Sequence, residues 1–258
     1  MPNIHPTAIV DPKAELADDV EIGPYSVIGP EVIIGAGTVI GPSVFIEKRT
    51  TLGCRCKVSK GAVLGTDPQD LRFKDKKTYL VIGDDCVLRE FVTVNVATSE
   101  EKPTRLGNNI MMMAYSHIAH DCQIGNGVIM ANCASLAGHI HMDDGVILGG
   151  LAAIHQFSIA GKYCIIGGFS RVTLDILPFS MAAGCPCKIH GLNMVGLKRR
   201  GFSKERLSAL HQAFKILLRK GLSLPDATKR LQDEMGDNSD VQEIIAFIQR
   251  SKRGIARH

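Results

Sequence analysis

Glu21-Ile22-Gly23-Pro24-Tyr25-Ser26-Val27-Ile28-Gly29-Pro30-Glu31-Val32-Ile33-Ile34-Gly35-Ala36-Gly37-Thr38-Val39-Ile40-Gly41 places an isoleucine followed by glycine at every sixth position. Traced backwards and forwards in the same phase, the keyed residues are Ile4, Val10, Leu16, Ile22, Ile28, Ile34, Ile40, Ile46, Leu52, Val58 and Leu64, none of them polar. The phase breaks after Leu64, returns at Ile82, Leu88 and Val94, and resumes from Leu106 through Met112, Ile118, Ile124 and onward to Val172. Neither the helical period of 3.6 nor the strand period of 2 sustains such a pattern. A six-residue step requires a chain that turns a corner after each short strand, so the sequence predicts a β-helix, with three units making one triangular turn. The keyed aliphatic points inward, and the glycine after it supplies freedom or compactness at the corner. A second small or apolar residue, such as Ala8, Val20, Val32 or Ala62, falls four positions after the key.

Cys56, Cys86, Cys122 and Cys164 occupy that second position and read as small core fillers. With no basic-then-apolar leader at Met1-Pro2-Asn3-Ile4 and no run long enough to cross a membrane, the eight cysteines are expected to be reduced and the protein cytoplasmic. Cys185-Pro186-Cys187 lacks metal-ligand spacing.

The repeat is interrupted near 66–80 and 96–105, and insertions in a solenoid become loops on its face, where binding groups are carried. After about Ser180 the pattern becomes helical. Ser203 caps a helix bearing Leu207, Leu210, Phe214 and Leu217; a second follows Ser223 with Pro225 in its first turn; a third carries Val241, Ile244, Ile245 and Ile248. The expected division is a β-helix over 1–190 and a helical domain over 191–258, packed on the end of the β-helix. From Lys198 onward there are 14 Lys/Arg against 7 Asp/Glu, within a chain of 30 and 26, which suits an acidic partner.

Polar chemistry collects around His117-Ile118-Ala119-His120-Asp121. Residues 18 apart share a column on successive turns, which relates His120 to Gly138 and Gln156, and Asp121 to His139; His117, His141 and His155 are expected in the same region. Histidine suits proton transfer near neutrality, Asp121 could orient an imidazole, and the Gly138 N–H could stabilise an oxyanion. No serine or cysteine is evidently paired for covalent catalysis, which leaves direct attack by an acceptor hydroxyl as the simpler mechanism. Converging imidazoles are also compatible with zinc, as in β-helical carbonic anhydrases. A non-catalytic scaffold is the third reading.

Several stretches in order narrow this choice: Ile4-His5-Pro6-Thr7-Ala8, Pro68-Gln69-Asp70-Leu71, His117-Ile118-Ala119-His120-Asp121-Cys122, Leu136-Ala137-Gly138-His139, His155-Gln156-Phe157 and Gly196-Leu197-Lys198-Arg199-Arg200-Gly201-Phe202. Together they make the chain resemble the UDP-N-acetylglucosamine O-acyltransferases that begin lipid A synthesis in Gram-negative bacteria. The resemblance implies a left-handed parallel β-helix, a homotrimer with active sites between neighbouring β-helices, and transfer of an (R)-3-hydroxyacyl chain from acyl carrier protein to the glucosamine 3-hydroxyl. It implies no cofactor, no metal, no nucleic acid and no stable membrane insertion. His120 matches the family's general base and Gly138 its oxyanion donor, with Asp121 beside them. Gln69, Asp70, His117, His139, His155 and Gln156 match residues that position sugar, diphosphate or acyl chain; Asn193 and Arg199 match the nucleotide end.

Arg72 replaces the lysine common in the family's Gln-Asp-Leu-Lys motif, keeping the charge but changing reach. Val195 stands where some members have glutamate. These departures leave room for a 3-amino sugar acceptor and an amide product. Gly168 matches the chain-length ruler position, where a small residue implies a deep groove and a long acyl chain. Relatives that acylate the glucosamine nitrogen carry a domain ahead of the β-helix, whereas here the repeat starts by Ile4.

Overall fold

The computed structural model describes residues 1–74 and 76–257; Asp75 of the first insertion and His258 lie outside the described residues. Strands of two to five residues, most of them two, stack into three sheets of 11, 9 and 8 strands, parallel except for the last pair of the first sheet, and form the faces of a triangular solenoid. The first face runs from Asn3–Ile4 to Ile165–Ile166 and is extended by Ser180–Ala183 and Lys188–Leu192. The second runs from Ile9–Val10 to Arg171–Val172, and the third from Glu15–Leu16 to Ile159–Ala160. The rungs keep the 18-residue register: Ile118 pairs with Leu136, Leu136 with Ile154 and Ile154 with Val172. Each inserted loop lengthens one turn, so Leu64 pairs with Val94 and Ile82 with Leu106.

The keyed residues are the core. From Ile22 onward they are 4% exposed or less, as Ile28, Ile46, Leu64, Ile118 and Leu148 show. Ile4, in the first strand, stays 39% exposed. Cys56, Cys86, Cys122 and Cys164 are buried as expected, and all eight cysteines are free thiols. Burial pushes the Cys122 thiol up to about 12, which keeps it an inert filler.

The two devices at each corner are separated in the structure. Glycine after the key serves close approach: a Cβ on Gly29 would lie 1.6 Å from the Glu47 carbonyl oxygen of the next turn. The left-handed backbone falls three positions after the key, often on non-glycine residues such as Tyr25, Asp121, His139 and Phe157.

Both insertions leave the same edge of the prism, the corner joining the second face to the third. They are tied together there: the Tyr79 carbonyl accepts from the N–H groups of Ala97 and Thr104, and the Asn95 amide donates to Thr66 Oγ1 at 2.8 Å. That corner on the following turns carries Ala119-His120-Asp121, Ala137-Gly138-His139 and His155-Gln156-Phe157.

Helices α1 (Met194–Arg199), α2 (Lys204–Leu217), α3 (Leu224–Met235) and α4 (Ser239–Arg250) follow. Ser203 and Ser223 cap α2 and α3 through Arg206 N and Asp226 N, as the sequence predicts. The short α1 was not anticipated; its Asn193 cap accepts from Gly196 N. The helices pack beside the solenoid as well as on its last turn. Arg200 donates to the Gly145 carbonyl at 3.1 Å, Arg250 pairs with Asp143, and Asp175 bridges to Ile255.

Candidate active site

On the corner that carries both insertions, His120 Nδ1 lies 2.7 Å from Asp121 Oδ2, with side chains 13% and 11% exposed. A carboxylate accepts, so Nδ1 carries the proton and Nε2 keeps its lone pair. Asp121 is held from several sides. Thr98 N–H reaches Oδ1 at 3.0 Å, Thr98 Oγ1–H reaches Oδ2 at 2.7 Å, and Asp121's own N–H donates to Thr104 Oγ1 at 2.8 Å. Burial acts to raise the Asp121 carboxyl, but hydrogen bonds from His120 and then Thr98 outweigh it and hold it below the ordinary aspartate value.

The His120 ring lies directly over Gly138, one turn along. A Cβ at Gly138 would sit 2.4 Å from His120 Cε1 and 2.7 Å from Nε2, so only glycine leaves room for the ring. The Gly138 N–H has no partner among the described residues, although the residue is buried. The corner joining the third face to the first behaves differently: there the equivalent amides of Cys54, Asp84, Asn108 and Asn126 are each capped by an Asp or Asn side chain of the next turn. An open, buried amide beside an imidazole Nε2 marks a place where an oxygen can be received.

His139 stacks on Phe157 at 4.6 Å and meets His120 edge-on at 5.2 Å, with Nε2 3.5 Å from Asp121 Oδ2. His117 lies in the strand before the corner, its Nδ1 2.6 Å from Thr93 Oγ1; burial, then the charge of His120, lowers its affinity for a proton. Asp70 is close enough to feel His120, and a bidentate pairing with Arg72 holds its carboxyl at about 2. Asp70, Arg72 and Thr98 share the wall of a cavity of about 280 Å³. Gln69 is exposed on the same loop, and His155 and Gln156 are exposed on the same corner, His155 Nδ1 donating to the Gln156 carbonyl.

The remaining expectations fall elsewhere. His141 projects from the third face and pairs with Asp143, which Arg250 also holds, so it does not join His117 and His155. Asn193 and Arg199 lie beside the corner joining the third face to the first, where Asn193 donates to the Tyr163 carbonyl at 3.0 Å. Gly168 lies on the corner joining the first face to the second, exposed. Thr93, Thr98 and Thr104 were missed. Thr98 sits inside an insertion, where six-residue counting gives no position.

His120, Asp121 and His139 offer ligand atoms within 4.8 Å of one another. Two donors of a tetrahedral zinc with bonds of about 2.0 Å stand about 3.3 Å apart. The 2.7 Å between His120 Nδ1 and Asp121 Oδ2 fits a shared proton instead.

Similarity to known proteins agrees with this geometry. A family model described as Udp N-acetylglucosamine O-acyltransferase, Domain 2, matches residues 175–256, and the bacterial transferase hexapeptide model matches 13–48 and 103–138. The chain is 50% identical over 258 residues to the acyl-[acyl-carrier-protein]–UDP-N-acetylglucosamine O-acyltransferase of Thiobacillus denitrificans, covering 100% of both. It is 48% identical to the protein of that name from Myxococcus xanthus, again over 100% of both. Among solved structures, the UDP-N-acetylglucosamine acyltransferase of Campylobacter jejuni superposes with a TM-score of 0.94 at 40% identity, covering 99% of this chain and 100% of that one. With full-length likeness in sequence and in fold, the chain belongs to the acyl-[acyl-carrier-protein]–UDP-N-acetylglucosamine O-acyltransferase family.

Proposed function

We propose that the protein transfers an (R)-3-hydroxyacyl chain from acyl carrier protein to the 3-hydroxyl of UDP-N-acetylglucosamine, with His120 as general base. The observation that carries the reading is the His120 Nδ1–Asp121 bond, which leaves Nε2 free as acceptor beside the open Gly138 amide. In this mechanism Nε2 takes the hydroxyl proton as the sugar oxygen attacks the thioester carbonyl, a step in which a positioned base contributes about 10²–10⁴-fold. The Gly138 N–H receives the developing oxyanion, worth about 10²–10³-fold. Collapse expels the carrier thiolate, which recovers the proton from the His120 imidazolium. Asp121 keeps the imidazole in the tautomer that can accept and steadies the cation formed in between.

Asp70, Gln69, Arg72, His117, His139, His155 and Gln156 line the approach to the base and serve to hold the sugar nucleotide and acyl chain. Asn193 and Arg199 stand beside a different corner and Gly168 on the third, so one copy does not gather all the residues assigned to binding. The first face spans those two corners, and beyond the polar Asn3, Glu21 and Lys57 of its first turns its outward residues Val87, Met111, Ile129, Ile147, Ile165 and Met181 form an unbroken apolar row. Laying this face against the histidine corner of a second copy would bury it and bring Asn193, Arg199 and Gly168 to the base. A homotrimer closes that arrangement. The excess of Lys/Arg beyond residue 198 suits the acidic carrier protein, and small Gly168 suits a long acyl chain. These are cytoplasmic substrates, in keeping with helices none of which is long and apolar enough to cross a membrane among the described residues.

The test is an assay of the purified protein with a series of hydroxyacyl carrier proteins, offered UDP-N-acetylglucosamine and its 3-amino analogue, with products identified by mass. An ester of UDP-N-acetylglucosamine with a long hydroxyacyl chain is expected. Amide formed only on the analogue, or transfer of short chains alone, would refute the acceptor or the chain-length assignment respectively.

A further inference from the structure

The second insertion has a specific use beyond lengthening a turn. A six-residue corner closes without it, as the turns through Gly138 and Gln156 demonstrate. The insertion brings Thr98 to one side of Asp121 and ends at Thr104 on the other, so residues near both its ends grip the same aspartate. Thr98's hydroxyl donates to Oδ2 at 2.7 Å, the oxygen that also accepts from His120 Nδ1 at 2.7 Å and lies 3.5 Å from His139 Nε2. Two imidazoles therefore flank one carboxylate oxygen, and one of them must be given precedence.

We propose that Thr98 is a positioning residue for the acyl transfer: its amide and hydroxyl fix the Asp121 carboxylate plane so that Oδ2 serves His120 instead of His139. The amide anchors Oδ1 and the hydroxyl anchors Oδ2, which leaves the carboxylate no rotation that would favour the neighbouring imidazole. The other titratable groups facing the pair are His139 from the next turn, His117 from the strand before it, and Asp70 with its partner Arg72 from the first insertion. None of these supplies a second donor that could replace Thr98 on Oδ2 without moving.

This inference rests on His120 acting as the base, and the two fail separately: an active His120→Ala enzyme removes the base, while an essential His120 with an indifferent Thr98 removes only the positioning. Thr98→Val keeps shape and backbone while deleting the hydroxyl. It is expected to lower kcat about tenfold to a hundredfold, the range for a hydrogen bond to a charged group, with KM for the sugar nucleotide within about threefold. Thr98→Ser restores kcat to within about threefold of wild type, since it returns the donor. In an Asp121→Ala background, Thr98→Val changes kcat by less than about twofold, because its target is gone. A wild-type kcat in Thr98→Val, an effect confined to KM, no rescue by serine, or an undiminished loss in the Asp121→Ala background would each overturn the proposal.

Discussion

His120 Nδ1 and Asp121 Oδ2 are 2.7 Å apart although the residues are neighbours in sequence, because Asp121 adopts a left-handed backbone with φ of 60° and folds its carboxylate back beside the ring. The corner geometry of the solenoid thus creates the pair. Asp121→Asn can keep the shape but can also donate, which favours the imidazole tautomer with its proton on Nε2. A fall in kcat of about 10²–10⁴-fold is expected, with substrate affinity little changed; steady-state kinetics on both substrates checks it.

Gly138 is defined by the ring above it. Alanine there would place a methyl 2.4 Å from His120 Cε1, so the ring must swing away from the open amide. Gly138→Ala is expected to lose about 10²-fold or more in kcat while its melting temperature stays within about 4 °C of wild type, a shift corresponding to about 1 kcal/mol or less. Calorimetry and kinetics on the same preparation separate the two effects.

His117 gives a signature in stability against pH. Burial, then the His120 charge, depresses its proton affinity in the folded chain, so between the folded value and the ordinary histidine value the unfolded chain binds more protons. Stability therefore rises with pH through that window, and the cost appears as pH falls below about 6.5. His117→Gln is expected to flatten this part of the curve, measured as denaturation midpoints between pH 5 and 8.

Asn193 has a structural role that Arg199 lacks. Asn193 caps α1 through Gly196 N and ties it to the Tyr163 carbonyl, while Arg199 is exposed in the last turn of the same helix. Asn193→Ala is expected to cost about 1 kcal/mol of stability and raise KM for the sugar nucleotide. Arg199→Ala should raise KM with no loss of stability. Because Arg199 stands away from the His120 corner, mixing His120→Ala and Arg199→Ala protomers by refolding should, at sub-saturating sugar nucleotide, regain activity beyond that of either variant alone. Failure to regain any would contradict a site shared between copies.

The solenoid was legible because one physical requirement, an inward aliphatic at each short strand, repeats without exception across the keyed positions. The 18-residue column likewise sets His120 over Gly138, as the ring's close approach shows. The grouping of His141 with His117 and His155 failed for an equally physical reason. It shares the six-residue phase of His117 but lies one corner further round, on the face that meets α4. Thr98 was invisible because an inserted loop breaks the count that converts sequence separation into position. The role of Asn193 as a helix cap was hidden by the shortness of α1, six residues with little apolar periodicity.

The most direct test of the whole account is the turnover of His120→Ala with hydroxyacyl carrier protein and UDP-N-acetylglucosamine, on protein shown by sedimentation to keep the assembly of the wild type. The account predicts a loss in kcat of about 10³-fold or more with the assembly intact. Turnover within about tenfold of wild type would contradict it.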